Sequence, residues 1–383
     1  MLITTTQDLK TYVSQMLHHK ILAVDTEFMR EKTYYAKLCL IQIADEEGNA
    51  VLLDPLSIED LSPLKELMCN DSIVKVFHAG SQDLEIFYQI LGAPVAPHFD
   101  TQSAAALLGY RDQIGYGALV QEELGVALSK ADSFTDWARR PLEASQLSYA
   151  QDDVIYLARM YPNIISKLET LDRLNWLDGE LREHEQAQYF ELDWDNLFRR
   201  VKKISSLSRR QLAVAREVAI WREQLAQKRN IPKKWVCSDE TLIEIARRMP
   251  STLDQIKGIR GASPLMTKSS EALFAAIQKG KDVPTEALPE IKKRPKPVED
   301  LESRVDLMMA LVRQRAKDNN IATTLLASRS DLEYFAENGE EGRLMQGWRK
   351  DMIGSELVAL LDGELSLSLE GGSLVVSPAK KEL

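Results

Sequence analysis

Long apolar runs are missing from this 383-residue chain. None approaches the roughly 18–20 residues that a helix needs to cross a bilayer, so no membrane partner is expected. The first residues, MLITTTQDLKTYVSQML, hold no basic segment followed by an apolar one, so no secretory signal is expected there. Cysteine is scarce. Cys39, Cys69 and Cys237 are scattered, odd in number and without C-x-x-C spacing, which argues against a zinc site and a disulfide framework and makes a reducing cytoplasm the simplest location. A surplus of positive charge is also missing, since the net charge is −10. Taken whole, that argues against a nucleic-acid partner, because phosphate binding needs local positive potential. The distribution changes the reading. Val201–Arg260 holds 14 Lys and Arg against 6 Asp and Glu, a net +8, which leaves the rest of the chain at −18. A basic module is attached to an acidic remainder, although a solvated helical face would look the same.

The composition, 44% hydrophobic and 28% charged, is that of an ordinary soluble protein, and the length suggests two to three domains. The first ninety residues read as strands: KILAVDTEF, AKLCLIQIAD and NAVLLDPL can pair as a meander, and SIVKVFHA is a fourth strand closed by Gly80. A further short strand is expected near Pro97–Phe99. Helices follow at SQDLEIFYQIL, TQSAAALLGY, GALVQEEL and the long EASQLSYAQDDVIYLARMYPNIISKLETL. The pattern predicts an α/β fold in which helices cover a mixed sheet. From about Leu207 the chain reads as all helical and contains a repeat at an offset of 90 residues. IWREQLAQKRNIPKKWVCSDETL (Ile220–Leu242) lies over ALVRQRAKDNNIATTLLASRSDL (Ala310–Leu332), with Asn230 meeting Asn320 and Ser238 meeting Ser328. Each copy reads helix, Asn-Ile turn, short apolar stretch and Ser-capped helix. The expected organisation is an α/β domain over 1–170, a helical connector over 171–206, small all-α domains over 207–285 and 299–372, a stiff Pro-containing linker over 286–298, and a frayed tail over 373–383.

The first apolar run, ILAVDTEFM, ends on two acids. Residues i and i+2 of a strand face the same side, so the carboxylates of Asp25 and Glu27 lie a few ångströms apart. Like charges there repel, and one acid would stay protonated unless a cation intervened. Oxygen-only donors select Mg²⁺ or Mn²⁺ over zinc. A strand end that pairs its acids with Arg30 or Lys32 accounts for a bare D-x-E as well. FHAGSQDLEIF puts Asp83 in the first turn of a helix, where the dipole alone favours an acid. SYAQDDV puts Tyr149 and Asp153 at i and i+4, one above the other, with Asp152 about 100° round the helix. Alone, that is a surface acidic pair.

Together, D-x-E on the first core strand, an Asp after HAGSQ and Y-x-x-x-D on a late helix resemble the DEDD superfamily of 3′→5′ exonucleases in its tyrosine subclass. VDTEFMREKTYYAKLCLIQIA, VFHAGSQDLEIF, FDTQSAAALLGY and TDWARRPLEASQLSYAQDDVIYL resemble the motif blocks of the ribonuclease D family. The two helical repeats resemble HRDC domains, which that family carries in tandem. One departure is AQDD, where the family more often has small residues before the final Asp. The resemblance implies a ribonuclease H-like catalytic domain followed by two HRDC-type domains. It implies that Asp25, Glu27, Asp83 and Asp153 hold two divalent ions, Mg²⁺ or Mn²⁺, roughly 3.5–4 Å apart. Tyr149, with an ordinary pKa near ~10, is too weak a base at neutral pH and is expected to orient the attacking water.

The expected activity is a metal-dependent 3′→5′ exoribonuclease that releases nucleoside 5′-monophosphates. Its RNA partner would be tRNA precursors with 3′ extensions, and no obligate protein partner is evident. Thr26 and Phe28 are expected near the terminal nucleotide, although Phe28 reads equally as core. His78 reads better as a satisfied strand-end histidine than as a support for the site. Arg139 and Arg140 could touch phosphates or simply cap and solvate. Lys228, Arg229, Lys233 and Lys234 bracket the Asn-Ile-Pro turn and suit RNA. Beside them, Trp235 aligns with Leu325, which favours a core role for its ring. The first repeat is expected to bind RNA and the second to orient or pack. A DNA exonuclease, or a nucleic-acid-binding protein with an inactive nuclease domain, are the alternatives.

Overall fold

The computed structural model describes residues 1–128, 135–291 and 300–379. They form two units. The first holds Met1–Glu27, Leu38–Phe190 and the described residues from 300 onward; the second holds Phe28–Lys37 and the described residues from Glu191 to Ile291.

The sheet has the strand order β1-β4-β3-β2-β5-β6, with β1 at Leu2–Ile3, β2 at Ile21–Met29, β3 at Lys37–Ala44, β4 at Ala50–Leu53, β5 at Val74–Phe77 and β6 at His98–Asp100. β3 and β4 pair antiparallel, with Ile41 opposite Leu53, whereas β1–β4, β2–β5 and β5–β6 are parallel. The mixed sheet expected from the strand meander is therefore present, and β6 lies where a further short strand is expected. β1 is too short to leave a periodic signal.

Leu22, Ala23 and Val24 are fully buried, which is why β2 begins as a continuous apolar run. One face of the sheet, with Ile21, Ala23, Ala44, Val76 and Phe99, packs under the long helix Ala144–Thr170. That helix starts with a reciprocal cap between Glu143 and Gln146. Its buried residues Ala150, Val154, Leu157, Ala158, Ile164 and Leu168 recur at helical spacing. β5 passes at once into the helix Ser81–Leu91 because Gly80 lets the backbone fold back. A Cβ there would stand 2.5 Å from Phe77 Cβ.

The second repeat lies in the first unit. Its helix Leu301–Asp318 leads through Asn320, in the left-handed region at φ 49°, to the short helix Thr323–Leu326 and the Ser328-capped helix Arg329–Asn338. The turn docks on the helix Thr101–Leu107: Ala322 N donates to Ala106 O (2.9 Å), and Asn320 Nδ2 donates to Leu108 O (3.2 Å). Arg173 donates to the carbonyls of Leu107 (2.6 Å) and Asn319 (2.5 Å), and Trp176 stacks on Trp348 at 4.8 Å. Leu325 and Trp348 pack against the same core as the long helix.

In the second unit, the Ser208-capped helix Arg209–Arg229 packs against Ser270–Lys281. Asn230 is left-handed (φ 48°) and leads to the short helix Lys233–Val236 and the Ser238-capped Asp239–Arg248. The element order of the repeat is thus the same in both copies. The loop Phe28–Lys37 belongs to this unit, where Tyr34 packs on the repeat's core.

Three expectations need correction. The C-terminal part is not all helical: Leu365–Glu370 (β7) and Ser373–Pro378 (β8) form an antiparallel hairpin over Gly371-Gly372, both at positive φ. Alternation in LSLSLE and a two-glycine turn are the physical cause. The tail over 373–383 is therefore β8 as far as Pro378, and residues 380–383 lie outside the described residues. Trp235 is not core, since it is 45% exposed. Residues 292–298 of the expected linker also lie outside the described residues.

Candidate active site

β2 leaves the buried core after Val24. Asp25 and Glu27, projecting from its next turn of pleat, line a cleft of about 890 Å³ together with Tyr149 and Asp153 from the long helix. One carboxylate oxygen from each of Asp25, Glu27 and Asp153 lies within 4.8 Å of the other two. Among the described residues no other group of three acids, histidines or cysteines converges in this way. Asp83 stands outside the group of three. It is buried in the first turn of Ser81–Leu91, where it accepts a hydrogen bond from the Thr26 hydroxyl.

The electrostatics reflect this crowding. Burial, then the charges of Asp83, Asp153 and Glu27, push the Asp25 carboxyl well above its ordinary range. Burial and the charges of Asp153 and Asp83 raise Glu27 to about 8. Burial and the neighbouring Asp152 raise Asp153 to about 7, against the lowering effect of a hydrogen bond with Tyr149. Burial raises Asp83 to about 6, opposed by its bond from Thr26. Carboxylates arranged so that each resists ionisation form a site that a cation would relieve. The donors are all carboxylate oxygens, which fits a hard divalent ion rather than zinc.

The i, i+4 spacing brings Tyr149 to Asp153, and its ring lies 6.2 Å from that of Trp137. Asp152 also lines the cleft but is not one of the three converging acids. Its backbone carbonyl accepts a bond from the Tyr116 hydroxyl (2.9 Å). Both ring nitrogens of His78 are engaged, Nδ1 with Thr101 Oγ1 (2.9 Å) and Nε2 with Ile114 O (3.0 Å), as a satisfied strand-end histidine requires. Tyr116 carries no sequence signal; only the tertiary fold brings it to the cleft. Phe28 follows Glu27 on β2 and is partly buried.

Arg140 is not a phosphate ligand in waiting, which corrects one of the two expectations for it. Its Nε and Nη2 donate to Asp54 (2.8 and 2.7 Å), Nη2 also to Cys39 O (2.7 Å), and Nη1 to Trp137 O and Arg139 O (2.7 and 2.9 Å). Every N–H of the guanidinium is thereby engaged. Arg139 is exposed. In the second unit Lys228, Arg229, Lys233, Lys234 and Trp235 are exposed, and Lys233 lies 3.3 Å from Glu223.

Residues 1–169 match the family model described as 3′-5′ exonuclease, and residues 211–277 match that of the HRDC domain. A ribonuclease D of Jannaschia sp. (strain CCS1) is 38% identical over 380 residues, covering 96% of this chain and 97% of the relative. A ribonuclease D of Sphingobium indicum is 38% identical over 379 residues, covering 97% of each. The crystal structure of Escherichia coli RNase D, an exoribonuclease involved in structured RNA processing, superposes with a TM-score of 0.83 at 31% identity, covering 94% of this chain and 98% of that one. A 3′-5′ exonuclease domain whose cleft brings three carboxylates together, a helical HRDC domain and full-length similarity lead to one conclusion: the chain belongs to the ribonuclease D family and is a 3′→5′ exoribonuclease.

Proposed function

We propose that the protein trims the 3′ ends of structured RNA, tRNA precursors with 3′ extensions among them, one nucleoside 5′-monophosphate at a time. Asp25, Glu27, Asp83 and Asp153 would hold two divalent ions, Mg²⁺ or Mn²⁺. The observation that carries this reading is the convergence of Asp25, Glu27 and Asp153 within 4.8 Å, with their ionisation opposed by one another and by Asp83. When bound, such ions lower the pKa of water and stabilise charge on a phosphodiester undergoing displacement.

The chain's own groups do the positioning. Strand β2 fixes Asp25 and Glu27 on one rigid edge, and the long helix fixes Asp153. The Tyr149 hydroxyl, bonded to Asp153, would hold the attacking water in line, and that bond supports the tyrosine-subclass reading. Thr26 holds Asp83 in place and lines the cleft where the terminal nucleotide would lie, with Phe28 next to Glu27 on the same strand.

The second repeat, with the same element order as the first, is read as a second HRDC-type domain that packs, whereas the first binds RNA through Lys228, Arg229, Lys234 and the exposed Trp235 ring. The Escherichia coli relative's role in structured RNA processing supports RNA as substrate. A cytoplasmic site of action belongs to the same proposal, supported by the proposed RNA substrate.

The test is digestion of a 3′-extended tRNA precursor with Mg²⁺, with Mn²⁺ and with EDTA, with the products sized, beside matched RNA and DNA oligomers. Stepwise release of 5′-mononucleotides, lost with EDTA and in Asp25→Asn or Asp153→Asn proteins that still fold, is expected. Activity that survives EDTA or either substitution would refute the metal site, and faster digestion of DNA would refute the substrate.

A further inference from the structure

Between β5 and the helix that carries Asp83 the chain turns through His78, Ala79 and Gly80. Ala79 is exposed and holds φ at 56°, in the left-handed region. That conformation crowds a Cβ and is costly for any residue but glycine, so it persists only where the surroundings hold it. Gly80, the next residue, is buried and leaves no room for a Cβ beside Phe77.

The groups that hold the turn are two consecutive residues at the end of β6. Asp100 lies opposite Phe77 in the β5–β6 register. Its Oδ2 accepts from Gly80 N (2.8 Å), while Oδ1 accepts from Gln102 N (2.9 Å) and Ser103 N (3.0 Å) and caps the helix Thr101–Leu107. Thr101, fully buried, takes the other end of the turn. Its hydroxyl donates to Phe77 O (3.0 Å) and meets His78 Nδ1 at 2.9 Å. A hydrogen bond to a charged group is worth about as much as one left-handed residue costs, so the bond at Gly80 N is enough to tip the turn. Gly80 is also the N-cap of Ser81–Leu91, and its carbonyl accepts from Leu84 N (2.9 Å). Asp83 stands three residues on, bonded by the Thr26 hydroxyl from β2. The place of Gly80 therefore sets where the Asp83 carboxylate stands toward the three converging acids. We infer that Asp100 and Thr101 clamp the strained turn and are positioning residues for Asp83 in the nuclease site. All of these groups belong to the first unit. The inference rests on the proposed role of Asp83 as one of four cation-holding acids.

Variants of the full-length chain separate the clamp from its alternatives. Asn is as good a helix cap as Asp, so Asp100→Asn keeps the cap but can turn an NH₂ group toward Gly80 N. It also removes a charge that helps to push Asp83 up. Ala79→Gly relieves the left-handed strain and restores no charge. Thr101→Val keeps the shape of the side chain and removes the hydroxyl. Mn²⁺ binding, read by paramagnetic resonance, reports the site without activity. Asp100→Asn should weaken it roughly tenfold, the low end of what losing support for a metal ligand costs. Thr101→Val should act in the same direction. Adding Ala79→Gly to Asp100→Asn should bring Mn²⁺ binding back to within about threefold of the wild type. The Gly80 amide should exchange roughly tenfold faster in Asp100→Asn. On a short unstructured oligoribonucleotide at subsaturating Mg²⁺, kcat should fall while KM for RNA changes less than about twofold. A lower melting temperature or faster Gly80 exchange with unchanged Mn²⁺ affinity would overturn the inference, because the turn would then be released without effect on the acids. Failure of Ala79→Gly to rescue would overturn it as well, since the loss would be one of charge and not of position. A folded wild type that binds no Mn²⁺ would overturn the metal reading of the four acids and the clamp with it, whereas failure of the clamp alone leaves wild-type binding intact.

Discussion

Arg140 distinguishes a structural clamp from a substrate ligand, and its replacement by alanine has a calculable consequence. The guanidinium is one-quarter exposed, and the Asp54 carboxylate it meets is 3% exposed. Removing one partner of a buried pair costs about 3–5 kcal/mol, because the other charge stays buried and uncompensated. Partial exposure of Arg140 brings this to about 3 kcal/mol, since solvent screens part of the pair. Asp54 keeps its bonds from Ser57 Oγ (2.9 Å) and Leu56 N (3.0 Å), so the loss is not total. Urea unfolding of Arg140→Ala should therefore show a lower midpoint at unchanged slope. Adding Asp54→Asn should recover more than about 1 kcal/mol, because no buried charge then remains. The pH dependence has a definite sign. Burial pushes Asp54 up, but its bonds from Arg140, Ser57 and Leu56 outweigh that and hold the carboxyl below its ordinary 3.8. A depressed carboxyl contributes stability above the unfolded value that is lost as the pH falls through the folded one. The gap between wild type and variant should thus be full at neutral pH and narrow in acid below about pH 4. KM for RNA should change less than twofold. A stability loss under about 1 kcal/mol together with a tenfold rise in KM would show that the guanidinium serves phosphate and not Asp54.

In the metal-free protein the acids of the cleft make stability fall with rising pH. Glu27, Asp153 and Asp83 hold their protons to about pH 8, 7 and 6, above their unfolded values of 4.5, 3.8 and 3.8, so the stability they contribute is present at acid pH and lost as pH rises through those values. With EDTA, urea midpoints should fall between pH 5 and 8.5; Mg²⁺ at a hundredfold excess over its Kd should add ~2.7 kcal/mol at the alkaline end. Equal midpoints with and without Mg²⁺ would count against a cation site. Trp235→Ala should cost less than about 1 kcal/mol in stability, since the ring is half out in solvent, while weakening single-stranded RNA binding by ~1–3 kcal/mol in a filter assay. The reverse ranking would return the ring to the core. Gly280→Ala sets a Cβ 2.5 Å from Val214 Cα between two packed helices and should cost ~1–3 kcal/mol on thermal unfolding; an unchanged melting temperature would mean that the helices can part freely there.

The legible parts of the sequence were those with a local physical signature. Continuous apolar runs mark β2 and β3 because helices cover both faces of the sheet. The spacing of Tyr149 and Asp153 marks one face of a helix, and that face turns out to line the cleft. The convergence of Asp25 and Glu27 with Asp153 is a different matter, since 126 positions separate the strand acid Glu27 from the helix acid Asp153. No periodicity reports such a distance; only the set of motifs in order suggested it. Asp83 shows the limit of that inference, because its helix dipole position was readable but its bond from Thr26 was not.

The repeats show why matched sequence does not guarantee matched surroundings. Trp235 and Leu325 occupy equivalent positions, and alignment alone assigns both to a core. Leu325 does pack, but against the core beneath the long helix. Trp235 is 45% exposed, as Lys228, Arg229, Lys233 and Lys234 are exposed. The position is therefore outward in both copies, and an apolar side chain there means that something covers it. In the second copy the cover is the chain itself. In the first, an exposed aromatic next to Lys233 and Lys234 in sequence is the surface that the proposed RNA role would use, with a stacked base as its cover.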